Sequence, residues 1–226
     1  MLPRTLEPEV MDSAAEAEDY DAMDHAQVNR VFVDDFLSAL TAVPAQNDRP
    51  WRIFDAGTGT AQIPIELMGR GLRAEITAAD LAEQMLIIAR RNVTAAGFSA
   101  AIQLIRSDCK HVAETGGSFD AVMSNSIVHH IAEPASVIES CWQMVRPGGL
   151  LFFRDLARPD NESALNRLVE TYAATANDHG RQMFRDSLHA ALTAAEAQTL
   201  ASSVGIPPEA VRRTSDRHWT LAAIKP

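Results

Sequence analysis

Cysteine is scarce in this chain. Its 226 residues hold two, Cys109 and Cys141, and neither falls in a Cys-x-x-Cys or Cys/His metal spacing. No metal is expected, and a reduced, cytoplasmic protein is the simplest reading. Positive charge is short as well. Twenty Lys and Arg against thirty Asp and Glu give a formal net charge of −10 and a pI near 5.1. Phosphate binding relies on clustered Lys and Arg, and no such run is present, which disfavours a nucleic-acid partner or an anionic membrane surface. No apolar run approaches the ~20 residues needed to cross a bilayer. The first twenty residues are acidic and rich in Ala and Glu, unlike a basic-then-apolar targeting segment. Internal repeats are absent too.

What is present is a large apolar fraction, 46%, in a length that suits one domain or one domain with small additions. Residues 1–48 are expected to form an N-terminal cap with a polar, mobile start. Within it Met23, Val28, Val31, Phe32, Phe36, Leu37 and Leu40 follow a helical period, in one helix or two. A linker is expected at 44–50. From there to residue 226, strand and helix patterns alternate, which predicts an α/β fold with a mostly parallel sheet and right-handed crossovers. Helices are expected near 61–70, 82–96, 134–144, 161–177 and 188–204, and a terminal hairpin from strands at 211–214 and 219–224.

The densest signal is Trp51-Arg52-Ile53-Phe54-Asp55-Ala56-Gly57-Thr58-Gly59-Thr60. An apolar run ends in an acid, then a glycine-rich turn, then a helical stretch. Glycines admit close backbone approach and torsions closed to other residues. The free amides of the helix start favour an anionic ligand group. A second apolar run, 74–79, ends in Asp80, placed to accept hydrogen bonds from a ribose. A dinucleotide loop reads G-x-G-x-x-G, but here Asp55 precedes the glycines and Ala61 stands where a third would fall. A carboxylate there repels a pyrophosphate and suits an ammonium or sulfonium.

The Asp-x-Gly-x-Gly turn resembles the first motif of class I S-adenosylmethionine-dependent methyltransferases. Further landmarks follow in order. Asp80-Leu81-Ala82-Glu83-Gln84-Met85-Leu86 resembles the family's second acid and the helix after it. Ile102 to Cys109 reads as a strand ending in the acid Asp108. Ser118-Phe119-Asp120-Ala121-Val122 leads through Asn125-Ser126 to His129-His130, like the family's F-D strand and L-H-H stretch. Val145-Arg146-Pro147-Gly148-Gly149-Leu150 resembles its L-K-P-G-G turn. The resemblance covers roughly residues 50–156. It implies a Rossmann-like sheet of seven strands with helices on both faces, the last strand antiparallel, and S-adenosylmethionine as donor.

The resemblance also implies site roles. Asp55, Gly57, Thr58 and Gly59 would form the donor loop, and Asp80 would bind the ribose hydroxyls. Leu81 and Met85 would line the adenine pocket, although Met85 fits plain core packing equally well. Asp108 would meet the adenine amino group, with Cys109 against the ring. Asn125 and Ser126 would lie near the sulfonium. The segment from Tyr20 to His25 resembles the one that folds over the donor in ubiquinone/menaquinone-type small-molecule methyltransferases. Tyr20 would be the cap residue nearest the methionine end, or a staple between cap and core.

For the acceptor side, His129 or His130 would supply a base, or would only orient their loop. Arg154, Tyr172, His179 and Arg217 are the substrate candidates, and 157–187 is a candidate lid. Arg154 and the adjacent Asp155 would face the ligand or pair with each other. The D/N-P-P-Y/F signature of amino- and adenine-directed enzymes is absent, with Ser124-Asn125-Ser126-Ile127 in its place. The expectation is therefore methyl transfer to a small molecule by a cytoplasmic enzyme, with a homodimer as the candidate assembly. A non-catalytic donor-binding protein and an NAD-dependent oxidoreductase are the alternatives.

Overall fold

The computed structural model describes residues 2–7, 13–44, 48–174 and 176–226. Part of the expected 44–50 linker, residues 45–47, lies outside them. Seven strands form one sheet: β1 (Trp51–Ala56), β2 (Ala74–Asp80), β3 (Ile102–Arg106), β4 (Phe119–Asn125), β5 (Val145–Leu156), β6 (Val211–Arg213) and β7 (His218–Ile224). Their order is β3-β2-β1-β4-β5-β7-β6. β1 runs parallel to β2, with Ile53 opposite Ile76, and parallel to β4, with Ile53 opposite Ala121. β2 and β3 are parallel as well. β6 and β7 pair antiparallel, Arg213 opposite Trp219. Bonds from Gly148 N to Lys225 O and from Ala157 N to Arg217 O set β7 antiparallel to β5. Buried neighbours Ile53 and Phe54 show that β1 is covered on both faces, as a central parallel strand must be.

Strand order reverses between β1 and β4, and open α/β sheets bind ligands beyond the carboxyl ends of strands at such a switch. The eight helices among the described residues are α1 (Ala14–Ala22), α2 (Ala26–Leu40), α3 (Gln62–Gly69), α4 (Glu83–Ala95), α5 (Ala135–Met144), α6 (Glu162–Tyr172), α7 (Asp178–Ala190) and α8 (Ala194–Ser203).

Two compact units divide the chain. The first comprises residues 10–125, 136–153 and 222–226, the second 1–9, 126–135 and 154–221. In the first, α2 buries Phe32, Val33, Phe36 and Leu40, a stripe at helical spacing. Phe32 and Phe36 meet Phe152 edge-on at 5.3 and 5.7 Å. In the second, Leu165, Leu168 and Val169 of α6 and Leu188 of α7 pack with Leu156 and Leu2.

The second unit corrects two expected helices. The helix expected over 161–177 ends at Tyr172, and Asn177 instead caps α7 by accepting the Gly180 amide at 2.8 Å. The helix expected over 188–204 is broken. Thr193 and Glu196 form a reciprocal capping box that restarts the chain as α8. Buried Arg158 takes the Ala191 carbonyl at 2.7 Å, so the break is fixed by a polar anchor. α1 was likewise not expected as a separate helix; the Ser13–Glu16 capping box starts it.

Candidate functional site

The first unit holds the residues expected at the donor except Ser126, which belongs to the second. Gly57 and Gly59 take positive φ, 74° and 55°, so the turn after β1 needs them. Ala61 does the same at 63° in the place of the missing glycine. The amides of Gly57 and Thr58 both donate to Ala79 O at 2.9 Å, which ties the loop to the end of β2. Asp80 Oδ2 accepts the Gly59 amide at 2.8 Å, and Oδ1 accepts the Ala82 amide at 2.9 Å. Asp80 therefore clasps the two turns that would cradle a nucleoside.

A pocket opens over this loop, lined among others by Tyr20, His25, Asn29, Asp55, Thr58 and Asn125. Burial pushes the Asp55 carboxyl up to about 7, with the Thr58 hydroxyl opposing and Asp80 adding to the rise. Its Oδ2, Asn125 Oδ1 and His25 Nε2 are buried and make no hydrogen bond. Buried polar atoms cost free energy unless paired, so these three await a polar ligand such as an amino acid's ammonium and carboxylate. The donor's methionine end supplies both.

Tyr20 lies over the loop. A Cβ added at Gly59 would stand 3.6 Å from the Tyr20 ring, which itself stacks on His25 at 4.9 Å. Burial, then Asp80, Asp55 and Asp21, raises its hydroxyl to about 12, so it stays protonated. Asp21 next to it latches the end of α1 down: it accepts from Asn92 Nδ2 at 2.8 Å, pairs with Arg91 at 3.0 Å and takes Gln62 at 3.1 Å. Asp21 was quoted in the cap segment but given no role, because its partners are remote in sequence. Met85 packs with Ala17, Ala82 and Ile88, with Tyr20 against the same cluster. Leu81 sits half-buried between β2 and α4, and Cys109 is buried with its thiol pushed up by that burial. Asp108 turns to its own neighbour, accepting the Lys110 amide at 2.9 Å.

The second unit carries the acceptor-side candidates. His129 Nδ1 lies 2.6 Å from Asp155 Oδ1, and both groups are buried. Asp155 also accepts the amides of Val128 at 2.6 Å and Leu156 at 2.7 Å. Burial alone would raise the Asp155 pKa, but His129 and those amides outweigh it and hold the carboxyl below its usual range. For His129, burial lowers the pKa and the Asp155 carboxylate overrides it, with a net rise. In the neutral tautomer that carries its proton on Nδ1, the ring donates to Asp155 and Nε2 keeps its electron pair. The partner of His129 is thus Asp155, a residue read in sequence as a ligand-edge charge or a partner of Arg154. His130 stacks on His129 at 4.1 Å between centroids. Ser126 has φ 59° and donates its amide to Arg154 O at 2.9 Å.

Of the substrate candidates, Tyr172 and Arg217 come together. The guanidinium sits 3.3 Å over the ring, and the Tyr172 hydroxyl donates to Asp216 at 2.8 Å. Arg154 is buried and reaches Thr220 Oγ1 at 3.1 Å. His179 lies exposed in the first turn of α7.

Comparison with known proteins fits this geometry. Residues 54–153 match a family described as "Methyltransferase domain". A "Ubiquinone biosynthesis O-methyltransferase" of Xanthomonas campestris pv. campestris is 30% identical over 168 residues, which is 73% of this chain and 66% of that protein. The protein of the same description from Xanthomonas oryzae pv. oryzae is 32% identical over 147 residues, 64% of this chain and 59% of that protein. The chain thus spans a little under two thirds of the length of these relatives. Among solved structures, the plantazolicin methyltransferase BamL, in complex with a triazolic desmethylPZN analog and SAH, superposes with a TM-score of 0.67 at 18% identity, over 84% of this chain and 67% of that one. A SAM-dependent methyltransferase from Aquifex aeolicus gives 0.66 at 14%, over 95% and 99%. At such identities the structures speak for the fold alone. No helix among the described residues is long and apolar enough to cross a membrane. The family match over residues 54–153, the curated relatives and the Asp-x-Gly-x-Gly loop closed by Asp80 agree: residues 54–153 carry a methyltransferase domain, and the chain is similar to the class I S-adenosylmethionine-dependent methyltransferases.

Proposed function

We propose that this protein methylates a hydroxyl oxygen of a small-molecule acceptor in the cytoplasm, without a nucleic-acid partner. The observation that carries the reading is the buried His129–Asp155 pair, whose Nδ1 contact leaves the Nε2 electron pair of the imidazole unused by Asp155. A sulfonium donor supplies an already activated methyl group. The oxygen attacks in line with the C–S bond; the O–C bond forms as C–S breaks, and the sulfur leaves as a neutral thioether. An alcohol or phenol must shed its proton in the process. His129 Nε2 accepts it, and Asp155 keeps the ring in the required tautomer and stabilises the imidazolium. An amine or thiolate acceptor would have less use for such a pair. Positioning supplies most of the rest, on the order of 7–11 kcal/mol. The net charge of −10 supports a small acceptor over a polyanion.

The test is an acceptor panel of phenols, alcohols, amines and thiols, with S-adenosylhomocysteine and methylated product read by mass spectrometry. Turnover of a hydroxyl acceptor is expected. His129→Asn is expected to lower kcat by about 10²- to 10⁴-fold with donor affinity unchanged. Methylation confined to amines or thiols, or a variant as fast as wild type, overturns the reading.

A further inference from the structure

The sequence contains no spaced metal motif, yet the fold of the second unit assembles one from distant parts. Arg4 straps the N-terminal segment down, donating to Ala190 O at 2.7 Å and to Ile131 O at 2.9 Å, and the Thr5 amide donates to His189 O at 3.1 Å. This brings Glu7 onto the histidine pair. Glu7 Oε1 stands 3.1 Å from His130 Nδ1 and 3.6 Å from His129 Nε2. One oxygen and two imidazole nitrogens all lie within 4.8 Å of one another.

We propose that Glu7, His129 and His130 form an inhibitory binding site for a zinc-class divalent cation. Three observations carry this. The first is distance. Zinc binds imidazole nitrogen and carboxylate oxygen at about 2.0–2.2 Å, so neighbouring ligands of a tetrahedral ion stand about 3.4 Å apart. The two separations from Glu7 Oε1 straddle that value. The second is satisfaction. Glu7 Oε1 and His130 Nδ1 are shielded from solvent and face each other at 3.1 Å, with His129 Nε2 as the next polar atom at 3.6 Å from Glu7 Oε1. A cation bound by both atoms satisfies both. The third is the support behind the ligand. His129 gives its other nitrogen to Asp155 at 2.6 Å, and a carboxylate behind a histidine is what fixes the ring and raises the basicity of a metal-binding imidazole. Two imidazoles and one carboxylate suit zinc, with a water in the fourth position, and suit magnesium or calcium poorly.

The ion takes the same Nε2 electron pair that would receive the acceptor's proton. Cation binding and base action at His129 therefore exclude each other, and the loaded enzyme is the inactive one. Only this inhibitory consequence rests on the base assignment; the binding site does not.

The probe is Co²⁺ added to the metal-free, untagged full chain, followed by its visible d–d absorption and by competition with Zn²⁺. Wild type is expected to take up one equivalent with the intense spectrum of a tetrahedral ion, displaced by Zn²⁺. Glu7→Gln and His130→Asn are each expected to bind at least tenfold more weakly. Thermal unfolding followed by circular dichroism over the whole chain shows that each variant is folded; if Glu7→Gln fails it, His130→Asn decides. No tetrahedral spectrum in wild type, or equal binding by the folded variants, overturns the site. In the methylation assay, Zn²⁺ is expected to slow wild type and spare Glu7→Gln. Intact Co²⁺ binding without Zn²⁺ inhibition overturns the inhibitory role while leaving the site.

Discussion

Asp80 holds the Gly59 amide at 2.8 Å, binding the end of β2 to the glycine turn after β1. Its other oxygen holds Ala82 at the start of α4. One carboxylate thus shapes both loops at the switch point, and the family resemblance assigns the same carboxylate to the ribose hydroxyls. Asp80→Ala removes the clasp and the ribose acceptor together. S-adenosylhomocysteine binding by calorimetry is expected to vanish, with about 1–3 kcal/mol lost from stability. Micromolar binding that survives would count heavily against the ribose assignment.

Asp55 sets a pH dependence. Its pKa is raised in the folded donor-free protein to about 7. Between about pH 4 and 7 the folded state holds a proton that the unfolded chain has lost, so stability is full below pH 4 and falls as pH rises to 7, by at most about 4 kcal/mol. Chemical denaturation across that range checks the slope, and Asp55→Asn is expected to flatten it. If Asp55 meets the donor's ammonium, it does so in its ionised form. Affinity for S-adenosylhomocysteine is expected to rise about tenfold from pH 6 to pH 8. An affinity flat over that interval would detach Asp55 from the ligand.

Asp120 of the Phe-Asp motif is a clamp. Arg49 grips it in bidentate fashion at 2.6 and 2.8 Å, Arg146 at 2.6 Å, and the Arg52 amide at 2.8 Å. Burial would raise its pKa, but these donors carry it down to about 2. The folded value is depressed, so its contribution is present above about pH 4 and is lost as pH falls through 2. Asp120→Ala removes the carboxylate that joins Arg49 to Arg146 and is expected to cost about 2–4 kcal/mol by urea denaturation, with m unchanged. A loss under 0.5 kcal/mol would mean solvent replaces the clamp.

The clamp also explains which landmarks were legible. Phe-Asp and Arg-Pro-Gly-Gly are far apart in sequence, yet Arg146 bonds Asp120, and a Cβ at Gly149 would stand 2.8 Å from the Asp120 carbonyl. Each residue meets a local demand that composition expresses, so the strands, the turn and the donor loop could be read directly. α1 and α8 carried readable signals too: Ser13-x-x-Glu16 lay in a start read as polar and mobile, and Thr193-x-x-Glu196 lay inside a pattern read as one helix over 188–204. The Glu7 cluster is different. Its three ligands are joined only by the docking of residues 2–7, held by Arg4 on main-chain carbonyls. Carbonyls carry no side-chain signature, so no spacing in the chain announces that contact. The Asp155–His129 pair is hidden for a related reason: β5 and the turn after β4 are adjacent only once folded.

Tyr20 separates ring from hydroxyl. Its ring covers Gly59 and stacks on His25, while Asp80, Asp55 and Asp21 surround the hydroxyl electrostatically. If the ring is what closes the donor loop, Tyr20→Phe keeps S-adenosylhomocysteine affinity within about threefold, because packing area is retained. Tyr20→Ala then strips the cover from the loop and from the small cluster of Ala17, Met85 and Ile88, and affinity is expected to fall at least tenfold, about 1.4 kcal/mol. The loss should appear in the dissociation rate, since a cover slows escape more than entry. Stopped-flow release of S-adenosylhomocysteine measures it. Equal losses for Phe and Ala would shift the role to the hydroxyl, and equal retention would make Tyr20 a staple between α1 and α4 with no part in holding the donor.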